Sequence, residues 1–317
     1  MKRNKLLISH YGKSGKQAGV ALITVVLVMA VAVVLALQMT DQGLIEIRRD
    51  MNLDQARRAR YLQQGLEDWA IQILQDDWER GQDDFRGEAW AQTMPPMPAD
   101  QAIITGNMVD MDGRFNLNNL IIDGVESEIQ IARLTRLLRV LNLPVELADQ
   151  ILDWLDDDSE PRPKGAEDSV YQRLGYYTAN GKMQDITELR LIAGVDADIY
   201  HTLIPHVTAL NDSLALNVNT ASEEVVMSLY DNISASLASK LVQGGRAHYQ
   251  NTSDFTSQLV EQGVVISENN ALGVASHYFL LSSEIEIDHR KYRFSSVIYR
   301  GFGGIQVISR RLNWLPQ

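Results

Sequence analysis

The sequence predicts an α+β protein in which a long N-terminal helix and a C-terminal antiparallel sheet enclose a helical insertion. Three observations predict this class. A helical pattern runs from residue 20 to 94 without a proline, and short helical segments fill the stretch from about 116 to 270. The last forty residues hold three runs rich in aromatic and β-branched residues, which are separated by the turn-like stretches 288–290 and 301–304.

The N-terminal segment has the length and composition of a membrane span. The 18 residues from Val20 to Leu37 contain Thr24 as their one polar residue, and about 20 apolar residues cross a bilayer. Five Lys and Arg residues and no acidic residue precede this run. The positive-inside rule therefore keeps the N-terminus in the cytoplasm and sends the rest of the chain across the membrane. A secretory signal peptide has a shorter apolar region and a small-residue cleavage site after it, and no such site follows Leu37.

The helical pattern continues beyond the apolar run, so we expect one helix of about 55 residues. The inner face of its second half is predicted from apolar residues that recur every three or four positions: Ala59, Leu62, Leu66, Trp69 and Ile73. Residues 80–100 hold two glycines and three prolines and predict a loop. A short strand pair is expected near 102–111.

Composition excludes several function classes. The net charge is −12, and because the five basic residues at the start precede any acid, the chain from Val20 onward carries −17. Such a body repels nucleic-acid phosphates and suits divalent cations. The absence of cysteine excludes disulfides, thiolate zinc sites and cysteine nucleophiles. Because the histidines are scattered and no catalytic motif is present, we expect a protein that is not an enzyme.

Carboxylates are concentrated in the stretch DWLDDDSEPRPKGAED at 153–168. Its three consecutive aspartates follow a predicted helix, whose C-terminal end already carries partial negative charge. Two prolines stiffen the loop, and a hard cation such as calcium would relieve the repulsion. The candidate ligands are Asp156, Asp158, Glu160, Glu167 and Asp168.

The spacing of the first four candidate ligands imitates positions 1, 3, 5 and 12 of an EF-hand loop. Pro161 stands where that loop requires glycine, so a true EF-hand is excluded. The alternative interpretation is a solvated acidic loop that is partly neutralised by Arg162, Lys164 and Arg173.

Two further patterns favour structural roles. The segments 189–195 and 214–222 look like helix-hairpin-helix DNA-binding modules, but the helix after the first one begins Asp196-Ala197-Asp198, which would repel phosphate. Packing is therefore expected there. An Asn-x-Asn pattern at 116–118 and again at 217–219 predicts helix capping and turn chemistry.

The sequence around the start of the apolar run resembles a type IV prepilin signal, in which a peptidase cuts after a glycine and leaves the helix in place. Here the glycine is Gly19 and the new N-terminus would be Val20. Most members have glutamate as the fifth residue after the cut, whereas this chain has Thr24. Together with the large body and the segments LNVNTAS and DWLDDDSEPRPKGAED, this resembles the protein K family of minor pseudopilins of type II secretion (the general secretion pathway).

The resemblance implies a type IV pilin-like fold, with the long helix packed on the sheet and a large all-helical insertion. The implied parts are a cleaved leader at 1–19, a transmembrane helix at 20–38, a pilin-like head at 39–115, an inserted helical domain at 116–270 and C-terminal strands at 271–317. Calcium binding by the helical domain is also implied. The leader would be removed by prepilin peptidase, and the new N-terminus would be methylated.

The function implied is that of a cap at the tip of the periplasmic pseudopilus, which helps initiate assembly and export folded proteins across the outer membrane. The implied partners are the minor pseudopilins I and J, with the minor pseudopilin H and the major pseudopilin as further candidates. The chain would cross the inner membrane once, with its bulk in the periplasm and no nucleic-acid partner. Thr24 suits a tip position, because the usual glutamate is thought to pair with the subunit above. The alternatives are a minor pilin of a surface type IV pilus and a membrane-tethered DNA receptor.

Overall fold

A computed structural model describes residues 17–212, 215–266 and 271–313. Its helices are α1 (Gln17–Trp78), α2 (Glu128–Val140), α3 (Leu147–Leu155), α4 (Asp168–Tyr171), α5 (Ala197–Leu203), α6 (Glu223–Ser228), α7 (Ala235–Val242) and α8 (Thr252–Glu261). Its strands are β1 (Met94–Ala99), β2 (Ala102–Asp110), β3 (Phe115–Asn116), β4 (Ile121–Ile122), β5 (Val125–Glu126), β6 (Val207–Thr208), β7 (Leu216–Asn217), β8 (Leu272–Gly273), β9 (Tyr278–Ile287), β10 (Arg290–Gly301) and β11 (Gly304–Asn313). The chain divides into two compact units, residues 1–60 and residues 61–317.

The first unit contains the N-terminal part of α1. The large apolar side chains from Leu22 to Leu37 are all more than half exposed, and α1 is the one helix of the described residues that is long and apolar enough to cross a membrane. The Thr24 hydroxyl donates a hydrogen bond of 2.9 Å to the carbonyl of Ala21 in the same helix. Most of the predicted leader, residues 1–16, lies outside the described residues.

The second unit contains a five-stranded antiparallel sheet in the order β1-β2-β9-β10-β11. The three predicted C-terminal strands are confirmed. Asp288 and His289 join β9 to β10 with φ angles of 48° and 65°, as the tight hairpin turn between right-twisted strands requires. A long helix with an antiparallel sheet confirms the α+β class; the finer pilin-like assignment stays a prediction.

The first strand pair lies further upstream than predicted. Residues 94–99, which we expected in a loop, form β1, and its partner β2 ends at Asp110. Its sequence, Met-Pro-Pro-Met-Pro-Ala, looks unlike a strand because proline cannot donate to a ladder. β1 is an edge strand with an irregularity between Met94 and Met97, and edges and bulges are the places where a sheet tolerates proline.

The inner face of α1 in the second unit is more polar than predicted. Trp69, which we placed on this face, is 45% exposed, whereas Gln63 and Glu67 are fully or almost fully buried. Gln63 accepts from the Ser283 hydroxyl and donates to Ser296. Glu67 accepts from Ser296 at 2.5 Å and forms an ion pair with Arg310 of β11. Burial raises the pKa of Glu67, but these hydrogen bonds outweigh burial and hold the pKa below its usual value.

The helical stretch lies between β2 and β9, which are neighbours in the sheet although they are far apart in the chain. Its core is apolar and includes Leu134, Leu137, Ile151, Tyr171 and Phe255. Two short parallel pairs, β3 with β6 and β7 with β8, join distant points of this stretch.

Both Asn-x-Asn segments form the predicted turns, and Asn116 also caps the helical turn Leu117–Leu120. The Asn116 side chain accepts from the N–H of Asn118, and Asn217 accepts likewise from Asn219. The second asparagine of each segment has a task that the sequence did not show. Asn118 donates to and accepts from the backbone of residue 183, with both distances 2.9 Å, and Asn219 does the same at residue 249, at 3.0 and 2.7 Å.

Candidate metal centre

The carboxylates of the candidate centre lie at the end of α3 and at the start of α4. Leu147, Ile151 and Leu155 of α3 are buried in the apolar core, so the packing fixes the direction of the last helical turn. Asp153, in that turn, has no exposed surface, and Asp156, the first residue after the helix, is 9% exposed.

The loop between the two helices brings a third carboxylate to the same place. Glu167, which precedes α4, is 2% exposed. Gly165 passes so close to Asp153 that a Cβ atom there would lie 1.8 Å from Asp153 Oδ2. Since no side chain fits at that distance, glycine is required where the loop crosses the carboxylate.

Three carboxylates converge in this centre. One oxygen from each of Asp153, Asp156 and Glu167 lies within 4.8 Å of the other two. Both oxygens of Glu167 and Oδ1 of Asp156 are buried and accept no hydrogen bond from the described residues. Burial, followed by the charges of Asp153 and Asp156, raises the pKa of Glu167 to about 7. Buried acceptors without a donor cost free energy, so a cation or another donor at this cluster would stabilise it.

Arg162 gives the cluster part of its counter-charge. Its Nη1 donates to Asp153 and to Asp156, both at 2.5 Å, and its Nη2 donates to Glu126 at 2.6 Å. Burial by itself lowers the pKa of Arg162, but the hydrogen bonds to Asp156, Asp153 and Glu126 outweigh burial and raise it. With all three cluster carboxylates ionised, one guanidinium leaves a charge of −2.

The donor set fits a hard divalent cation. Calcium and magnesium take oxygen ligands, mainly carboxylates and carbonyls, and this group consists of carboxylates without a histidine. The remaining charge of −2 matches one divalent ion, and the orphaned oxygens of Glu167 and Asp156 supply lone pairs for it. The residues therefore fit the metal that the sequence predicted.

The structure brings together two of the five predicted ligands, Asp156 and Glu167. Asp158 and Glu160 are exposed, and Asp158 Oδ1 accepts from the Glu160 N–H at 2.8 Å. Asp168 Oδ1 accepts from the N–H and hydroxyl of Thr178. These three side chains lie outside the group of convergent oxygens. Since no metal ion tests the ligand set, it stays a prediction, now consisting of Asp156 and Glu167 together with Asp153.

Asp153 is the member that sequence reasoning missed. It lies inside α3, where the apolar neighbours dominate the pattern, and nothing in the spacing separates it from a solvent-facing aspartate. The signal that could have found it is the glycine in KGAED, because a glycine in a stiff acidic loop marks a close backbone approach. The alternative interpretation, a solvated acidic loop, correctly predicts that Arg162 neutralises part of the charge. The cluster of Asp153, Asp156 and Glu167, however, is buried rather than solvated.

The helix-hairpin-helix interpretation receives no support from the charges. Asp196 caps α5 by accepting from the N–H of Ile199 at 2.8 Å, and Asp198 lies in the first turn of the same helix. Two carboxylates at this helix start disfavour phosphate. At the predicted cleavage site, Gly19 and Val20 have helical backbone within α1, and their side chains are outside the described set.

The comparisons with known proteins agree over most of the chain. The family model described as type II secretion system (T2SS), protein K, matches residues 113–212, and a second model with the same description matches residues 216–275. Type II secretion system protein K of Pseudomonas aeruginosa is 34% identical over 310 residues, which cover 93% of this chain and 92% of that protein. The protein of the same name from Aeromonas hydrophila is 30% identical over 325 residues, covering 94% and 97%.

One solved structure is similar in fold. It belongs to the GspK-GspI-GspJ complex from the enterotoxigenic Escherichia coli type 2 secretion system. The similarity has a TM-score of 0.76 at 24% sequence identity and covers 84% of this chain and 99% of that chain.

Proposed function

The chain belongs to the family of type II secretion system protein K, and we propose that it is a minor pseudopilin that caps a periplasmic pseudopilus. In this role it helps initiate assembly of the fibre, which exports folded proteins across the outer membrane. The observation that carries the proposal is the match to type II secretion system protein K of Pseudomonas aeruginosa, which is 34% identical and covers 93% of this chain.

The N-terminal helix is proposed as an anchor that is cut and retained. Prepilin peptidase cuts between Gly19 and Val20, the new N-terminus is methylated, and the helix crosses the inner membrane once with the bulk in the periplasm. The five basic residues before the cut and the exposed apolar surface after it support this orientation. Mass spectrometry of the membrane-extracted protein should find an N-terminus at Val20. An intact Met1, or a start near Gln38, contradicts this part of the proposal.

Thr24 supports a place at the tip of the fibre. A carboxylate inside a bilayer persists when a partner neutralises it, and in pilins the neighbouring subunit is thought to provide that partner. The Thr24 hydroxyl instead donates to the carbonyl of Ala21 in its own helix. Since this polar group has an acceptor within its own helix, the position does not require a subunit above it.

The proposed partners are the minor pseudopilins I and J of the same system, with H and the major pseudopilin as further contacts in the fibre. A solved protein of similar fold was determined in a GspK-GspI-GspJ complex, which supports this choice. Co-expression of the full chain with I and J, followed by affinity capture from detergent, should recover all three proteins together. Capture of I and J with each other but without this chain would contradict the proposed assembly.

We also propose that the cluster of Asp153, Asp156 and Glu167 holds calcium as a structural ion. When bound, the ion neutralises the remaining negative charge and supplies a partner to the oxygens that lack one. The protein residues position the site: α3 fixes the two aspartates, and the loop through Gly165 brings Glu167 over them. Calcium added to the protein after removal of metal with a chelator should raise its unfolding temperature, because an ion that binds the folded state alone stabilises that state.

A further inference from the structure

A cavity of about 340 Å³ lies in the second unit, away from the metal centre. It is bounded by the helical turn Ala89–Ala91, the end of β2, the loop that follows β2 and the residues before α6. Its polar lining is rich in hydrogen-bond donors, namely Arg86, Arg114, Thr93, Asn107 and Ser222. Two guanidinium groups in one cavity are unexpected in a protein with a net charge of −12.

Arg114 lines this cavity without a direct ion-pair partner among the described residues. Its side chain is half-buried, and within the described ranges its guanidinium makes no ion pair or hydrogen bond. Burial lowers the pKa of Arg114; the charge of Asp110 acts against this, and the nearby Arg86 adds to it. A half-buried cation beside a second cation is an arrangement that an anion between them would stabilise.

Asp110 borders the cavity but does not serve as that anion. Its Oδ2 accepts from the hydroxyls of Thr220 and Ser276 and from the Asn217 amide, and its Oδ1 accepts from the N–H of Asp112. Four donors already surround this carboxylate. Its lone pairs are therefore directed to these neighbours and leave Arg114 without an acceptor.

The second arginine is fixed at the cavity by the backbone. Arg86 Nη2 donates to the carbonyl of Thr220 at 2.5 Å. The loop that carries Arg114 is pressed against the same residue, because a Cβ atom on Gly113 would lie 2.3 Å from Thr220 Oγ1. Glycine thus allows Arg114 to follow directly after this contact, so both arginines lie close to Thr220 in the cavity lining.

One further titratable group, His206, lies next to Ser222 of the cavity lining. His206 Nδ1 lies 2.9 Å from the Ser222 hydroxyl. Burial lowers the pKa of His206, Glu224 opposes this, and Arg114 lowers it further. His206 is therefore neutral at pH 7, and the cationic character of the cavity comes from its two arginines.

We propose that this cavity binds a carboxylate between Arg86 and Arg114. Arginine pairs with carboxylates through two parallel hydrogen bonds, and a second carboxyl, Asp110, at the edge disfavours an anion of higher charge such as phosphate. The volume accommodates an aspartate or glutamate side chain or a small dicarboxylic acid. The inference is independent of the calcium centre and of the proposed place in the fibre.

The test is titration calorimetry of the full chain in detergent at pH 7.5 and fixed ionic strength. The probes are succinate, the acidic peptide acetyl-Gly-Glu-Glu-Gly-amide and the same peptide with glutamine in place of glutamate. The variants are Arg114→Gln, Arg114→Lys and a control, Arg139→Gln, which removes the same charge from an exposed position on α2. We expect the acidic peptide to bind, the glutamine peptide not to bind, and Arg114→Gln to weaken affinity about tenfold or more.

The outcomes separate the possible sources of the carboxylate. Binding of the acidic peptide that is lost in Arg114→Gln and kept in Arg139→Gln supports a protein side chain as ligand. Binding of succinate alone, with the same dependence on Arg114, supports a free small carboxylic acid. If neither probe binds at about 10 mM, or if Arg114→Gln binds as well as the control, the proposal is wrong. Circular dichroism checks the fold, and Arg114→Lys, which keeps the charge but loses the paired hydrogen bonds, replaces Arg114→Gln if the latter unfolds; affinity equal to the wild type would then contradict the proposal.

Discussion

Replacing Glu167 by glutamine should stabilise the metal-free protein, measured in a chelator, and abolish its response to calcium. Burial and the neighbouring aspartates raise the pKa of Glu167 from its ordinary 4.5 to about 7. At about 1.4 kcal/mol per pH unit, the ionised side chain at pH 8 costs the folded state about 3 kcal/mol. Glutamine has nearly the same shape and no charge. In a chelator, Glu167→Gln should therefore unfold at higher denaturant than the wild type, by up to about 3 kcal/mol.

Calcium should reverse this order. At a free concentration one hundred times its Kd, an ion that binds the folded state alone stabilises the wild type by about 2.7 kcal/mol. Glu167→Gln lacks one of the three convergent carboxylates, so the gain should be small. The pH dependence has a defined sign. Because the folded chain holds the proton of Glu167 more tightly than the unfolded chain, the wild type in a chelator loses stability as pH rises from about 4.5 to 7. The variant lacks this loss.

The assay is urea unfolding of the full chain in detergent, with EDTA or calcium, followed by tryptophan fluorescence. Trp154 is a local reporter, because it is buried in α3 directly after Asp153. Glu160→Gln is the matched control, since it removes the same charge from an exposed position in the same loop. The reasoning is refuted if Glu167→Gln is no more stable than the wild type in EDTA, or if calcium stabilises both equally. A loss of the calcium response in Glu160→Gln would return the ligand set to the sequence-based one.

Three other substitutions test buried polar groups. Arg133 is 2% exposed with Nε and Nη2 unpartnered, and burial lowers its pKa to about 10; Arg133→Met should raise stability by about 1–3 kcal/mol, and a lower unfolding temperature would contradict this. Arg310→Ala should cost about 1–3 kcal/mol at pH 7, because it removes the ion-pair partner of the buried Glu67. The lowered pKa of Glu67 stabilises the folded state at pH values above the ordinary pKa of 4.5, and this contribution is lost as the pH falls. The cost of the substitution should therefore shrink below about pH 4, as urea titrations at two pH values will show. Asn219→Ala removes both hydrogen bonds to the backbone of residue 249 and should cost about 2–4 kcal/mol in urea unfolding. The exposed control Asn232→Ala should cost less than about 0.5 kcal/mol. Equal costs would show that these two hydrogen bonds do not stabilise the fold.

The local sequence pattern predicted the fold class and most elements, because apolar residues recur with different periods in helices and in strands. The C-terminal strands alternate in the way that a half-buried sheet requires, and both hairpin turns carry residues suited to positive φ angles. The errors arose where tertiary partners override the pattern. Prolines in β1 are tolerated because the strand is at an edge. Gln63 and Glu67 are buried because serines and Arg310 from the sheet satisfy them, and no property of α1 alone reveals those partners.

The candidate site was predicted as a region more accurately than as a set of residues. The surplus of negative charge at 153–168 follows from composition, and the structure keeps it there. Which carboxylates converge depends on where the loop folds back. Asp158 and Glu160 have suitable spacing along the chain but are exposed, whereas Asp153 is brought in by the packing of α3. The sequence alone gives the charge of this segment, whereas the three-dimensional fold decides which of its carboxylates converge.

The two hydrogen bonds between Asn118 and the backbone of residue 183 bear on how calcium would act. Asn118 fixes the backbone at residue 183, and Thr178 donates to Asp168, so the chain beyond the metal loop is held by hydrogen bonds. Before the loop, the apolar face of α3 is held by the core. Since both ends are fixed by contacts that do not involve the cluster, we expect the carboxylates to be gathered without a bound ion. Calcium should therefore act mainly by neutralising charge, and removing it should lower the unfolding temperature while leaving the helical circular dichroism at 222 nm unchanged. A large loss of that signal on chelation would mean that the ion orders the loop and helices. The hydrogen bonds of Asn118 would then be too weak to organise the site.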